Sequence, residues 1–489
     1  MEDIEHLVVV MFENRSFDNL LGWLYDNETD PPEFNIPPRT PPTFEGLRAN
    51  TYFNVIDPAG SQKVFASRPT TSWPGCPNAN QVPTPDPHEE FEHVTVQIFG
   101  KSSPGVGDAA DMSGFLRNYS TTDAGLESAN QIMQTYGPDQ ANVINEIARS
   151  FAVCDHWFAS VPSQTWPNRG FVHTGSSDGH VDNDNYELYG ATTIFNVLQN
   201  QGKSWRVFYD TQLTSLTYIQ FLDVGGLRDS FHRYSDFKDR CNARPDADPA
   251  DKLPSYSFIE PRFLPEFLGI AQPGDYHPPH NICRGEQFLA DVYQAVRNSP
   301  YRDKIMLVIT FDEHGGCYDH VPPPTGAAAP EPSPVSRDGQ FKFNRFGVRV
   351  PVIVVSSYLE PGTVFRAAEG ETPYDHTSIL ATLRDWLNLS ADPAKFLPSP
   401  RIAAAPTLDR VLTRAKGNEN QNWPDITAKC TVDGKDVSRD TPLNDMQKSL
   451  LAAAKAQQTG MDAAAASQQA KKLQTYEHGA MFLQPDARA

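Results

Sequence analysis

Two adjacent carboxylates, Asp312 and Glu313, follow the apolar run Leu307–Phe311 and precede His314, Gly315 and Gly316. The pattern repeats near the start of the chain, where Leu7–Phe12 runs into Glu13 and Asn14. Acids next to buried strands are costly unless something neutralises them. The chemistry such a set offers is divalent-cation binding, with Glu13, Asp312 and Glu313 giving carboxylate oxygens and Asn14 an amide oxygen. All-oxygen ligation suits Mg²⁺, Ca²⁺ or Mn²⁺ better than a thiolate-preferring ion. The plain alternative is a solvated acid pair that only caps a loop.

A nucleophile is also available. Thr165, in Thr165-Trp166-Pro167-Asn168-Arg169, presents a hydroxyl at a turn, and a bound cation would ionise it for attack on phosphorus. The same residue could instead cap a helix. Asn168 and Arg169 are candidates for the non-bridging phosphate oxygens, with structural roles equally open. Histidines in turn-rich segments include His88, His173, His180, His277, His280, His314, His320 and His376. His277, before Pro278-Pro279, and His88, after Asp86-Pro87, lead as phosphate contacts or leaving-group acids. His376 stands behind Asp375, a carboxylate neighbour able to hold it in one tautomer.

The elements that must position these residues are legible as strands and helices in alternation. Apolar runs at 7–12, 151–157, 205–209, 256–260, 307–311 and 350–355 predict strands. Helices are expected at 88–99, 142–150, 193–200, 285–298 and 375–387. Strands without polar alternation predict a mostly parallel sheet covered on both faces, in an α/β fold with its site at the carboxyl edge. Pro-rich 30–86 predicts loops over the site or over a domain edge, and 211–250 a lid-like insertion. A catalytic domain over 1–400 is followed by an extension over 401–489. Its Ala/Gln/Lys-rich stretch 441–472 predicts one or two helices, with Leu443, Met446, Leu450 and Leu451 on one side.

The chain of 489 residues carries 41 basic and 61 acidic side chains, a formal charge of −20. That balance argues against nucleic acid or an anionic membrane held by bulk electrostatics. Six scattered cysteines show no zinc spacing, leaving disulfides and buried thiols both open. No stretch has the length of a membrane span. The acidic opening MEDIEHLVVV is unlike a signal peptide. The protein is expected to be secreted or periplasmic if a leader was removed, and cytoplasmic otherwise. Dinucleotide, Walker, HExxH and GxSxG motifs are missing from the sequence.

The segments MFENRSFDNLLGW, SVPSQTWPNRGFVHTG, TFDEHGGCYDHVPPP, FGVRVPVIVVSSY and YDHTSIL resemble, in this order, the bacterial and fungal phosphoesterase family. That family holds phosphatidylcholine-type phospholipases C and acid phosphatases within the alkaline-phosphatase superfamily. The resemblance covers about residues 6–395 and implies an alkaline-phosphatase-like three-layer sandwich with insertions and a helical C-terminal tail. It implies one divalent metal held by Glu13, Asn14, Asp312 and Glu313, with Thr165 as nucleophile completing the shell. Family histidines map to His277 and His88, although DPHEEFEH offers His93 as well as His88, and the usual MDGF is MSGF here. The TxPxR pattern also resembles the sulfatase signature, but Thr165 cannot be oxidised to the aldehyde that sulfatases use. The implied activity is phospholipase C-like cleavage of a phosphodiester such as phosphatidylcholine. The alternatives are an acid phosphatase and a catalytically silent metal-binding surface protein.

Overall fold

Continuous apolar runs leave no face for solvent, and in this computed structural model every residue of His6–Phe12 and Ile305–Phe311 is buried. The structure describes residues 1–57, 62–69, 78–105, 107–183, 191–210, 227–265, 273–389, 396–415, 422–432 and 438–484. Among these, the main sheet has nine strands: β1 His6–Phe12, β2 Phe34–Ile36, β3 Ala152–Cys154, β4 Trp205–Tyr209, β5 Phe231–Arg233, β6 Tyr256–Glu260, β7 Ile305–Phe311, β8 Val352–Val355 and β9 Thr363–Phe365. Their order is β2-β9-β3-β8-β7-β1-β6-β4-β5. Every pairing is parallel except the two made by β8.

The register builds the site. Phe12 pairs with Phe311, so the chain leaves β1 and β7 side by side, and Glu13 and Asp312 emerge as neighbours. In the next strand Ile259 pairs with Val10, which brings Glu260, the last residue of β6, to the same edge.

Helices cover the sheet. They include α1 Phe17–Leu21, α2 Phe91–Phe99, α3 Asn142–Ser150, α4 Thr165–Thr174, α5 Ile282–Arg297 and α6 Thr377–Trp386. Helices α3 and α5 pack together, and buried Glu286 of α5 accepts the free N–H groups of Val143 and Ile144 at the start of α3. Helix α4 packs on α6.

Several expected boundaries move for identifiable reasons. Helix α2 begins at Phe91, because Glu90 is its extended N-cap (φ −65°, ψ 152°); His88 and Glu89 therefore lie outside the helix. The stretch read as loops over 30–86 contributes β2 at one sheet edge. The supposed lid over 211–250 contains β5 at the other edge and the helix Tyr234–Cys241. Residues 211–226 of that stretch lie outside the described residues.

Three helices follow near the C-terminus: α7 Asp445–Thr459, α8 Ala463–Ala470 and α9 Tyr476–Leu483. Leu443, Met446, Leu450 and Leu451 are buried in the same apolar cluster as the sheet. Burial of such a side chain stabilises by roughly 1.5–3 kcal/mol, so the extension is held on the body by its apolar face. A disulfide joins Cys283, in α5, to Cys430. Cys154, Cys241 and Cys317 are buried thiols, and Cys76 lies outside the described residues.

Candidate active site

Three strand ends deliver three buried carboxylates, and one guanidinium gathers them. Arg169 lies 2.5 Å from Glu13, 3.0 Å from Asp312 and 3.5 Å from Glu260, and all four side chains are inaccessible to solvent. Burial opposes the charge on Arg169, but Glu13, Asp312 and Glu260 hold it firmly protonated. Burial, then Asp312, pushes the Glu13 carboxyl well above the usual range. A planar donor fork suits this three-way pairing better than a lysine would. Arg169 was a candidate for phosphate contact; its guanidinium instead serves these acids.

Not every oxygen here is satisfied. Among the described residues, buried Asn14 Oδ1 and Glu313 Oε1 find no hydrogen-bond partner, a costly condition for polar atoms out of water. Asn14 is aimed into the pocket by a left-handed backbone (φ 44°), an uncommon conformation for a residue with a side chain. Its Nδ2 donates to Glu89 at 2.9 Å and to His277 Nε2 at 3.1 Å. Gly315 and Gly316 make the close approach possible. Both have positive φ, and a Cβ on Gly315 would collide with the Asn14 carbonyl. A Cβ on Gly316 would sit 2.6 Å from the His88 carbonyl.

Thr165 is the first residue of α4, where the helix's free N–H groups favour negative charge. Its buried hydroxyl donates to Glu13 Oε2 at 3.4 Å. Asn168 fixes the preceding turn: its Oδ1 accepts from Val161, and its Nδ2 donates to the carbonyls of Val161, Ser163 and Gln164. The structural alternative for Asn168 is thus the one its bonds show. Trp166 adds an anchor from the C-terminal helices, its indole donating to Ser449 of α7 at 2.8 Å.

The histidines divide by placement. His277 enters the pocket with a defined tautomer: Nδ1–H donates to the Pro278 carbonyl at 2.5 Å, and Nε2 accepts from Asn14. Its backbone is fixed by Asp275, which also accepts from His280 Nδ1 at 2.7 Å. His88 stands apart, half-exposed and stacked on His93 with ring centroids 3.9 Å apart. His376 donates from Nε2 to the Asp312 carbonyl at 2.6 Å and accepts the Trp157 indole N–H. Its tautomer is therefore set by these groups and not by Asp375, whose oxygens go to Thr377, Ser160 and Arg401. His314 donates to Gln97 of α2.

The residue-by-residue reading missed Glu89, Asp86, Glu260 and Asp275. Glu260 carried the same signal as Glu13, an apolar strand ending on an acid. Glu89 lay between two histidines in DPHEEFEH, and the chain turns it inward in place of His88.

Acids at the carboxyl edge of a mostly parallel sheet, beside a buried hydroxyl at a helix start, form the kind of polar pocket in which α/β enzymes carry out ester chemistry. The chain belongs to the Phosphoesterase family, whose model matches residues 4–390, and it is a phosphoric ester hydrolase. It is similar to non-specific phospholipase C3 of Arabidopsis thaliana, 33% identical over 469 residues, covering 92% of this chain and 82% of that protein. Non-specific phospholipase C6 of the same plant is 34% identical, over 80% of this chain and 69% of its own. A non-hemolytic phospholipase C of Burkholderia pseudomallei is 26% identical, over 79% of this chain and 56% of its own. Among solved structures, an alkaline phosphatase superfamily protein from Vibrio parahaemolyticus aligns at a TM-score of 0.31 and 11% identity, covering 51% of this chain and 61% of that one.

Proposed function

We propose that the protein is a metal-dependent phospholipase C-type hydrolase that cleaves a phosphodiester through Thr165. The observation that carries this reading is the Thr165 hydroxyl at the start of α4, 3.4 Å from Glu13. The phospholipase C names of the relatives support the diester substrate.

The donor set fits a divalent cation, since the unpartnered oxygens of Asn14 and Glu313 are the kind of buried atoms that an ion satisfies. Glu13, Asn14, Thr165, Asp312 and Glu313 would hold it; Ca²⁺, Mg²⁺ and Mn²⁺ suit their oxygens. Such an ion supplies charge stabilisation for an ionised hydroxyl and for a phosphoryl oxygen.

The chain's own residues do the rest. Glu13 Oε2 accepts the Thr165 proton, and the N-terminus of α4 stabilises the negative oxygen that remains. Thr165 Oγ1 attacks phosphorus, its new bond forming as the bond to the departing alcohol breaks. The alcohol oxygen leaves on the His277 side of the pocket and takes its proton from the entering water, while Glu13 later returns its proton to Thr165. Water then attacks the phosphothreonine, freeing Thr165 and releasing the phosphomonoester. Arg169 holds Glu13 and Asp312 at fixed separation throughout. A cleft of about 320 Å³ runs between Gln164 and Glu90 of the body and Lys448, Ser449 and Lys471 of the C-terminal helices. It ends on residues adjacent in sequence to Thr165 and Glu89, and we assign it to the head group.

The test compares p-nitrophenyl phosphorylcholine with p-nitrophenyl phosphate, before and after chelation and with metal restored. Faster turnover of the diester, lost on chelation, is expected; preference for the monoester would make the protein an acid phosphatase. Rapid quench should trap phosphothreonine, and Thr165→Ala should lower turnover by on the order of 10³-fold or more. Normal turnover by that variant would overturn the mechanism.

A further inference from the structure

Gln164 precedes Thr165, and Asn183 holds the N–H of the residue that follows it. Asn183 Oδ1 accepts from the Trp166 N–H at 2.9 Å, and Gln164 Oε1 accepts from the Asn183 N–H at 2.9 Å. A backbone N–H needs an oxygen opposite it, so these two bonds fix which way both amides point. The NH₂ end of each is the end left to the cleft that both residues line. Asn183 is only 7% exposed, yet among the described residues its Nδ2 finds no hydrogen-bond partner. A buried donor without an acceptor is costly, which points to a ligand oxygen at this spot.

The other walls of the cleft narrow the kind of ligand that brings that oxygen. Glu90 and Asp445 are matched there by Lys448 and Lys471, and Lys448 lies 3.3 Å from Asp445. Such walls offer donors and acceptors together, with little net charge to attract a cation. None of the described residues lining the cleft is aromatic, so a quaternary ammonium group finds no ring face to rest on. At about 320 Å³ the cleft stands at the small end of ligand sites. A hydroxyl group reproduces what water gives these polar atoms, whereas a trimethylammonium group displaces the water and leaves them unpaired.

We propose that this cleft selects a polyhydroxylated head group, such as the glycerol of phosphatidylglycerol, over choline. Asn183 Nδ2 and the Gln164 NH₂ donate to its hydroxyl oxygens, and the carboxylates of Glu90 and Asp445 accept from its O–H groups. This selection rests on the phospholipase C-type reading, in which the head group stays on phosphorus while the other alcohol departs on the His277 side. Asn183 and Gln164 then sort substrates without touching the bond that breaks.

The experiment compares kcat/KM of the full chain, with divalent metal restored, on phosphatidylglycerol and phosphatidylcholine of the same acyl chains in uncharged detergent micelles. Wild type should prefer phosphatidylglycerol by about tenfold or more. The chain's charge of −20 opposes an anionic lipid, so bulk electrostatics cannot produce that preference. Asn183→Asp keeps an oxygen for the Trp166 N–H and removes the donor, and it should bring the ratio close to one. Lys448→Met, on the C-terminal wall, should lower the ratio in the same direction and reads the same cleft if Asn183→Asp does not fold. Equal rates on the two lipids in wild type, or a preference for choline, would overturn the selection. So would a glycerol preference that both variants keep, or an equal loss on both lipids in Asn183→Asp, which would place that amide on the phosphoryl group. Calorimetry separates this from the hydrolase reading: glycerol 1-phosphate should bind about tenfold or more tightly than phosphorylcholine, and Asn183→Asp should erase the difference. If neither lipid is cleaved, the hydrolase reading falls and these two Kd values decide the cleft alone; equal values would overturn it.

Discussion

Arg169 shows how a residue's type and its role part company. Next to a nucleophile, an arginine reads as a phosphate ligand, yet here it is the counter-charge that lets Glu13, Asp312 and Glu260 share one edge. Arg169→Leu should destabilise by about 3–5 kcal/mol, the cost of leaving buried carboxylates without their cation, measured by urea unfolding. Thr165→Ala should leave the same midpoint nearly unmoved, which separates support from chemistry. His320 carries a pH prediction. Burial alone would lower its pKa, but the Asp18 carboxylate overrides burial and raises it to about 9. Its folded value exceeds the ordinary 6.5, so its contribution is complete below about 6.5 and is lost as pH rises through 9. Thermal melts of wild type should fall over that window, and His320→Gln should flatten the fall. At this scale the sequence was partly legible. Glu13, Asn14, Thr165, Asp312 and Glu313 sit together as expected, because each follows a strand or opens a helix whose periodicity is clear. Glu89 was not legible, since the side chain that turns inward depends on where α2 starts, a one-residue matter.

At the scale of elements, the strands of the sheet centre were readable because apolar runs without alternation admit few other structures. The sense of β8 was not, for VPVIVV carries no sign of direction; only the pairing shows it antiparallel to β7 and β3. Edge strands β2 and β5 were hidden in Pro-rich or polar segments, where burial on one side alone gives a weak pattern. The Gly315-Gly316 turn is the element on which the pocket depends most. Gly315→Ala combines a left-handed backbone with a collision against the Asn14 carbonyl. It should lose about 1–3 kcal/mol of stability and displace Asn14. Weaker metal affinity at unchanged secondary structure, by calorimetry and circular dichroism, would show this; affinity equal to wild type would refute it.

At the scale of the whole molecule, the C-terminal extension belongs to the enzyme's architecture. Gln447 donates to the Tyr476 hydroxyl, which donates to His280, which donates to Asp275, and the Asp275 carbonyl receives the Glu13 N–H. Tyr476→Phe leaves buried polar atoms unpaired at about 1–3 kcal/mol, and activity should fall with stability. The Cys283–Cys430 bond closes a long loop, and its removal by Cys430→Ser should lower stability by about 3–5 kcal/mol. A matching drop in melting temperature under reductant checks it. None of this wiring was legible in advance, because Ala/Gln/Lys composition specifies a helix and says little about what it touches.

The indole of Trp166, leaning on Ser449, has a consequence in time. A ribosome makes Thr165, the acids and the sheet well before it makes the helix that props Trp166. A nascent chain that has folded its sheet still lacks the helix on which Trp166 rests, and the surroundings of Thr165 are complete only after Ser449 has been added.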